Sequence, residues 1–108
     1  MILDDLKKKL IEYQKAKDVY AVGKLRFLFS EIHNKEIELR GKKEEITDEH
    51  VFKVIRKQIK NRKDNIELYE KAGKEDKVAE ETKEMEFYME IAKLFPFELN
   101  LEGRPPQK

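Results

Sequence analysis

The stretch Gln58–Gly73, QIKNRKDNIELYEKAG, decides how the rest of this sequence is interpreted. As a helix, it continues an apolar stripe that recurs every three or four residues. The stripe is interrupted at Arg62, whose side chain is permanently charged. The apolar positions on either side of the interruption are Phe52, Ile55, Ile59, Ile66 and Tyr69. A guanidinium on a buried stripe is costly unless carboxylates and hydrogen bonds neutralise it. The pattern therefore predicts an amphipathic helix with an internal ion pair.

Four carboxylates are candidate partners for Arg62, and a second arginine borders the predicted core. The candidates are Glu36 and Glu38 in the preceding helical segment and Glu81 and Glu84 in the following one. Arg26 lies one helical turn from Val22 and from Phe29, at the edge of another apolar stripe. Two arginines beside one core indicate either an ion-pair network that fixes helix register or a half-buried anion pocket. The sequence supports both interpretations.

The composition indicates one small, highly charged globular domain. The chain has 108 residues, 44% of them charged and 39% hydrophobic, and its 24 basic and 23 acidic residues give a net charge of +1. Such a balance gives no global reason to bind nucleic acid or membranes, so only a local patch could do so. The absence of cysteine excludes disulfides, a thiolate nucleophile and zinc–thiolate sites. No segment approaches the roughly 20 apolar residues of a membrane span, and a soluble cytoplasmic protein is expected.

The distribution of glycine and proline predicts an all-α fold. Proline is absent before Pro96, and capping residues divide the sequence into four helical segments. The predicted segments are Ile2–Ala16, a helix capped by Asp18 that ends near Gly41, a helix capped by Thr47 that ends at Ala72, and Glu75–Phe95. Gly73 is expected to take the left-handed conformation that ends the third helix. Short connections imply a small up-down four-helix bundle over residues 1–96, with an irregular, extended C-terminal tail over residues 97–108.

The last predicted helix carries a second apolar stripe near its end. Phe87, Ile91 and Leu94 lie on the side opposite to the main stripe of this helix, so something must cover them. One interpretation is that the apolar residues of segment 97–101, or another helix, fold over them. The other is a docking surface for a partner, or for a second copy in a homodimer through the end of the fourth helix.

Few residues offer catalytic or metal-binding chemistry. The two histidines, His33 and His50, lie on different predicted helices and lack the carboxylate spacing of a metal-binding bundle. Ser30 lies one turn from His33, but without an oxyanion loop a solvated helix face is favoured. The acidic residues between positions 80 and 86, with Lys83 among them, are typical of a solvated face. The sequence therefore predicts no catalytic residue, no metal site and no cofactor.

The third helix carries the strongest candidate binding surface, a run of basic residues. Lys53, Lys57 and Lys60 follow helical spacing on one face, and Arg56 and Lys63 flank them. Such a row of cations can follow phosphates by releasing counterions, or it can be a salt-bridged outer face. The candidates for phosphate or RNA contact are Arg26, Lys53, Lys57, Lys60, Arg62 and Lys63.

Motifs along most of the chain are similar to those of a known family. Residues 60–66 read KNRKDNI where that family typically shows KQRKDSI, residues 69–76 read YEKAGKED, and residues 94–99 read LFPFEL. Upstream, KLRFLFSEIHNKEIE at residues 24–38 matches the family pattern at Arg26, Asn34, Glu36, Ile37 and Glu38. The sequence resembles the YqeY family, which is related to the tail of the GatB subunit of tRNA-dependent amidotransferase. Lys74 stands where the family has an arginine, which removes bidentate pairing there.

The resemblance implies a function and an extent. It implies a helical accessory module linked to tRNA-dependent amidation, in which a carbon–nitrogen ligase takes its amide nitrogen from glutamine. The implied partners are tRNA or an amidotransferase subunit, and the module is expected to be non-catalytic by itself. Typical members continue beyond the turn at Pro96 into a second helical module, so the chain resembles the N-terminal module only. The alternative is a protein-interaction or homo-oligomerising helical module with no nucleic-acid role.

Overall fold

Four α-helices make up the architecture of the protein, which a computed structural model describes over residues 1–101. The helices are α1 (Ile2–Lys15), α2 (Val19–Gly41), α3 (Asp48–Lys71) and α4 (Glu75–Ala92). No strand occurs within residues 1–101, and the fold class is all-α, a small helical bundle, as predicted. None of these four helices is long and apolar enough to cross a membrane.

The predicted caps at the starts of α2 and α3 are confirmed. The Asp18 carboxylate accepts a hydrogen bond from the Ala21 backbone N–H at 3.0 Å, which satisfies a free donor of the first turn. At α3, Thr47 Oγ1 accepts from the His50 N–H at 3.3 Å, and His50 Nδ1 accepts from the Thr47 N–H at 3.0 Å. Residues 47 and 50 therefore form a reciprocal cap, with an imidazole where a glutamate usually stands.

Three helices end in the same hydrogen-bonded turn, which contains one left-handed residue. Lys17, Lys43 and Gly73 have φ angles of 57°, 58° and 69°. In each turn the N–H of this residue donates to the carbonyl three residues back, and the next N–H donates to the carbonyl five residues back. This Schellman motif satisfies the last free carbonyls of a helix. The left-handed conformation of Gly73 is confirmed, whereas the two lysines adopt a conformation that a side chain disfavours.

Helix α4 ends three residues earlier than predicted, at Ala92 instead of Phe95. After this point, the N–H of Leu94 donates to the Ile91 carbonyl and the N–H of Phe95 to the Ala92 carbonyl, three residues back. Pro96 is the physical reason, because the residue before a proline is disfavoured in the helical region. The ends of α1 and α3 differ from their predicted positions by one residue each.

The chain divides into two compact units, and the boundary lies inside α3. The first unit is Met1–Val54, and the second begins at Ile55. The predicted division into a bundle over residues 1–96 and a tail over residues 97–108 stays a prediction. Residues 102–108 of that tail lie outside the described residues.

The first unit is held together by apolar side chains, and α1 packs against α2. Its buried apolar residues are Leu3, Leu6, Ala21, Leu25, Leu28, Ile32, Leu39, Val51 and Phe52. The start of α1 is tied to α3 by Ile2, whose N–H donates to the Asp48 carboxylate at 3.1 Å. Because Asp48 also begins α3, its negative charge lies at the N-terminal ends of two helices, where it is favourable.

The second unit buries side chains from α3 and from the end of α4. Its buried residues are Ile55, Gln58, Ile59, Tyr88, Ile91, Ala92 and Phe95. The segment after α4 is held by Arg56, whose Nε–H donates a hydrogen bond to the carbonyl of Asn100. This bond joins segment 97–101 to α3, whereas the interpretation that this segment covers Phe87, Ile91 and Leu94 on α4 stays a prediction.

Candidate functional site

Arg62 belongs to a cluster of polar side chains from α3 and α4. Its Nε donates a hydrogen bond to Glu84 Oε2 at 2.6 Å and lies 3.4 Å from Glu81 Oε2. Asn65 Nδ2 donates to Glu81 Oε1 at 3.2 Å. These four residues form what we call the Arg62 cluster. The Arg62 side chain is only 18% exposed, and its two carboxylate partners are similarly covered. The prediction that carboxylates neutralise this guanidinium is confirmed for two of the four candidate partners.

The Arg62 cluster is suited to a structural role. Two carboxylates face one guanidinium, so the cluster is formally negative and has no spare cation for an incoming phosphate. Glu81 Oε2 is buried and accepts no hydrogen bond within the described residues, so its contact with Arg62 is one of charge alone. A covered ion pair contributes to stability mainly because removal of one partner leaves the other charge covered and unpaired, which costs free energy. The geometry therefore supports the interpretation in which Arg62 fixes helix register.

The lysines of α3 differ in how available their charges are. Lys53 and Lys57 are exposed, and neither side chain forms an ion pair within residues 1–101. Lys63 is half-buried and likewise has no ion-pair partner in that part of the chain. Lys60 Nζ lies 2.8 Å from Asp64 Oδ1, one turn further along the same helix. Three of the four predicted lysines are therefore free to meet an anion, and the fourth is held only by a surface pair.

Arg56 has a role that its sequence context does not reveal. In the sequence it only flanks the row of lysines on this helix, whereas in the structure its side chain donates a hydrogen bond to the backbone carbonyl of Asn100. A backbone carbonyl 44 residues away has no sequence signature. No local pattern could therefore have found this contact.

The remaining predicted site residues lie mainly on α2. Arg26 is exposed and forms no ion pair within the described part of the chain. Ser30 and His33 are also exposed, and no hydrogen bond joins them. His50 belongs to the cap of α3. No group of three or more histidine, aspartate or glutamate side chains that could hold a metal ion occurs in residues 1–101.

The predicted docking stripe at the end of α4 is partly covered. Ile91 is 1% exposed, so this docking candidate is covered within the chain and is not free at the surface. Phe87 is half-buried, and its ring packs edge-to-face with Tyr88 at a centroid distance of 5.6 Å. Leu94 is 37% exposed and lies in the turn after α4, because the helix ends early. The three side chains therefore do not form one continuous exposed stripe.

Fold and site define an all-helical protein with an ion-pair cluster formed by α3 and α4 and with lysines on α3 that have no ion-pair partner within residues 1–101. The family model described as Yqey-like protein matches residues 3–100. The chain therefore belongs to the YqeY family, and the match includes all of the four helices except the first residue of α1. No curated protein matches the chain.

Proposed function

We propose that this chain is a helical accessory module of tRNA-dependent amidation, which acts by binding and is non-catalytic by itself. In this role it accompanies a carbon–nitrogen ligase that takes its amide nitrogen from glutamine, and the covalent chemistry belongs to that enzyme. The observation that carries the proposal is membership of the YqeY family over residues 3–100. The partner is tRNA, either alone or together with an amidotransferase subunit.

The lysines of α3 are the groups that meet the RNA in this proposal. Lys57 and Lys63 have no ion-pair partner within residues 1–101, so a phosphate can approach them without breaking an existing contact. Lys53, on the same helix, is exposed like Lys57. The pair between Lys60 and Asp64 lies at the surface and contributes less than about 1 kcal/mol, so a phosphate can replace the carboxylate. Arg62 keeps its carboxylate partners and does not take part.

An electrophoretic mobility shift with bulk tRNA tests this function. Binding through lysines releases counterions, so we expect a complex at about 50 mM salt that weakens steeply towards about 200 mM. Retention of the complex without any salt dependence would contradict phosphate contacts. The absence of a complex at about 50 mM salt would overturn the RNA-linked function altogether.

Matched variants separate these lysines from the rest of the charged surface. Lys57→Glu and Lys63→Glu are expected to weaken tRNA binding and to reduce its salt dependence, because each removes a cation from the contact surface. Lys8→Glu in α1 changes the net charge equally and lies on an exposed face, so it serves as the control. An equal loss of binding in all three variants would indicate a general effect of net charge instead of a surface on α3.

The alternative, a protein-interaction surface at the end of α4, has less exposed area to support it. Of its three predicted residues, Ile91 is buried and Phe87 is half-buried, which leaves Leu94 as the exposed member. A stripe of that size is small for a stable protein interface. The RNA-linked function is therefore the one that the exposed residues of α3 and the family favour.

A further inference from the structure

The outer face of α2 is a stripe without a single charged residue. Its positions alternate in steps of four and three residues, which is the spacing of a coiled-coil seam. These positions, which we call the outer seam, are Gly23, Phe27, Ser30, Asn34, Ile37 and Gly41. Because 44% of this chain is charged, six successive solvent-facing positions without a charge are unexpected on an ordinary outer surface.

The outer seam is open to solvent along its whole length. All six of its residues are exposed, and its two large apolar side chains, Phe27 and Ile37, are 43% and 52% exposed. A Cβ atom added at Gly23 or Gly41 would meet no atom within 4 Å, so packing within the chain does not require either glycine. The buried residues of α2 occupy the opposite side of the helix.

The residues beside the outer seam carry complementary charges. One edge holds Arg26, His33 and Arg40, each directly before a seam residue, and the other holds Lys24, Glu31 and Glu38, each directly after one. In two parallel helices joined by such a seam, a residue of the first edge meets the residue five positions further on in the other helix. Arg26 then meets Glu31 of the second copy, and His33 meets Glu38 of the second copy.

These flanking side chains form few hydrogen bonds or ion pairs within the described part of the chain. The side chains of Arg26, Glu31 and His33 form no hydrogen bond or ion pair within residues 1–101. Glu38 Oε1 lies 3.3 Å from Lys35 Nζ and 3.8 Å from Lys42 Nζ, in surface ion pairs that leave its other carboxylate oxygen able to accept from a further donor. Arg26 and Glu31, which have no ion-pair partner within residues 1–101, are therefore placed so that a second copy can pair them.

The arrangement also discriminates between the two possible orientations. In antiparallel helices, each edge of the seam faces the same edge of the other copy. The edge with Arg26, His33 and Arg40 would then meet itself, which brings arginines of the two copies together. The charge pattern therefore fits the parallel orientation.

We propose that the outer seam binds a second copy of this chain, with the two α2 helices parallel and in register. Asn34 then faces Asn34 of the second copy, and a single polar pair of this kind fixes the register of a parallel coiled coil. Only Phe27 and Ile37 supply large apolar area, so the dimer is weak, with a Kd on the order of 10–100 µM. This self-association uses α2 and does not depend on RNA binding by α3.

Sedimentation velocity over a concentration series, with charge-reversed variants, tests the dimer. Arg26→Glu and Glu31→Arg each place like charges across the seam, so we expect each to raise the Kd by about tenfold or more. An equal mixture of the two variants restores opposite charges on both edges and is expected to associate like the wild type. Lys7→Glu and Glu12→Arg in α1 are exposed controls with the same changes in net charge.

Three results would overturn the proposal. The first is a wild-type chain that stays monomeric up to about 1 mM, well above the expected Kd. The second is association of both charge-reversed variants with unchanged affinity. The third is a mixture that associates no better than its two components. Circular dichroism of each variant in dilute solution checks that the monomer is folded, as we expect for substitutions of groups that have no partner in the chain.

Cysteine cross-linking tests the orientation, because the natural chain contains no cysteine. In the parallel dimer, residue 23 of one copy lies beside residue 23 of the other, so Gly23→Cys is expected to form a disulfide-linked dimer under mild oxidation. Glu12→Cys in α1 gives the background rate of random collision. Cross-linking of Gly23→Cys no faster than this control would overturn the parallel seam. Preferential cross-linking between Gly23→Cys and Gly41→Cys chains would do the same, because these two positions meet only in antiparallel helices.

Discussion

The two units of this chain are stabilised in different ways. The first unit buries a set of aliphatic side chains, among them Leu6, Leu25 and Leu28, which have no exposed surface at all. The second unit places the Arg62 cluster beside its apolar residues. Apolar burial contributes roughly 25 cal/mol per Å² whichever neighbour supplies it, whereas an ion pair depends on both of its partners. Stability is therefore distributed in the first unit, and in the second one substitution can leave two charges unpaired.

The helix ends show the opposite contrast. Helices α1 and α2 of the first unit end on the left-handed lysines Lys17 and Lys43, whereas α3 ends in the second unit on left-handed Gly73. A side chain in this conformation costs roughly 1 kcal/mol or more, which glycine avoids. The first unit, which contains the left-handed lysines, therefore has the less favourable helix ends.

The largest effect is expected from a cavity in the first unit. Leu28→Ala removes a side chain with no exposed surface, and we expect the free energy of unfolding to fall by about 2–5 kcal/mol in a urea titration. Leu68→Ala is the control, because Leu68 lies on the surface of α3 and its truncation is expected to change stability by less than about 0.5 kcal/mol. A loss below about 1 kcal/mol for Leu28→Ala would show that the first unit does not depend on this core.

A smaller but more specific loss is expected in the second unit. Arg62→Leu leaves Glu81 and Glu84 partly covered and without their guanidinium, so we expect unfolding free energy to fall by about 1–3 kcal/mol. Thermal melting followed by circular dichroism measures the change. Arg26→Leu, at an exposed arginine with no ion-pair partner in the described residues, is the control for loss of charge.

Two outcomes would contradict a structural role for the Arg62 cluster. One is an Arg62→Leu variant that melts at an unchanged or higher temperature and still gives one sharp NMR spectrum. The other is additivity in a double-mutant cycle with Glu84→Gln, since residues in direct contact are expected to show a coupling energy of about 0.5–3 kcal/mol. Either result would make the two units alike in depending on apolar burial alone.

The cap of α3 is expected to contribute about 1 kcal/mol. Thr47→Ala removes the hydroxyl that accepts from the His50 N–H, and the loss of such a cap typically destabilises a protein by that amount. Asp18→Ala should lower the free energy of unfolding by a similar amount, because the Asp18 carboxylate caps the start of α2. Urea titration of both variants, with His33→Ala as an exposed control on α2, measures these effects. An unchanged midpoint for Thr47→Ala would show that the start of α3 does not limit the stability of the first unit.

Sequence patterns predict those parts of the structure that depend on neighbours along the chain. The caps at Asp18 and Thr47 and the left-handed Gly73 follow from local chemistry, and each is confirmed. The carboxylate partners of Arg62 are also predictable as a class, because a guanidinium on an apolar stripe requires them. Which of the four candidate carboxylates pair with Arg62 depends on how the helices pack, and the sequence does not determine this.

Contacts between distant segments, and choices that run against propensity, are not predictable in this way. The bond from Arg56 to the Asn100 carbonyl joins positions 44 residues apart and involves a backbone atom with no signature. The burial of Ile91 depends on what packs around the end of α4, because helical spacing places it on the second stripe without showing what covers that stripe. Left-handed Lys17 and Lys43 escape prediction because nothing in their side chains favours that conformation.

The smallest expected effects come from the helix ends, and they have opposite signs in the two units. Lys17→Gly and Lys43→Gly each relieve a left-handed side chain, and the greater freedom of glycine in the unfolded chain offsets part of this gain. We expect each to raise the free energy of unfolding by about 0.5–1 kcal/mol. Gly73→Lys should lower it by about 1 kcal/mol, because φ at this position is 69° even though the space around it is open. Urea titration of the three variants measures the effects. If all three variants were stabilised, or none of them, interactions of the lysine side chains would outweigh backbone conformation at these positions. The difference between the helix ends of the two units would then have no effect on stability.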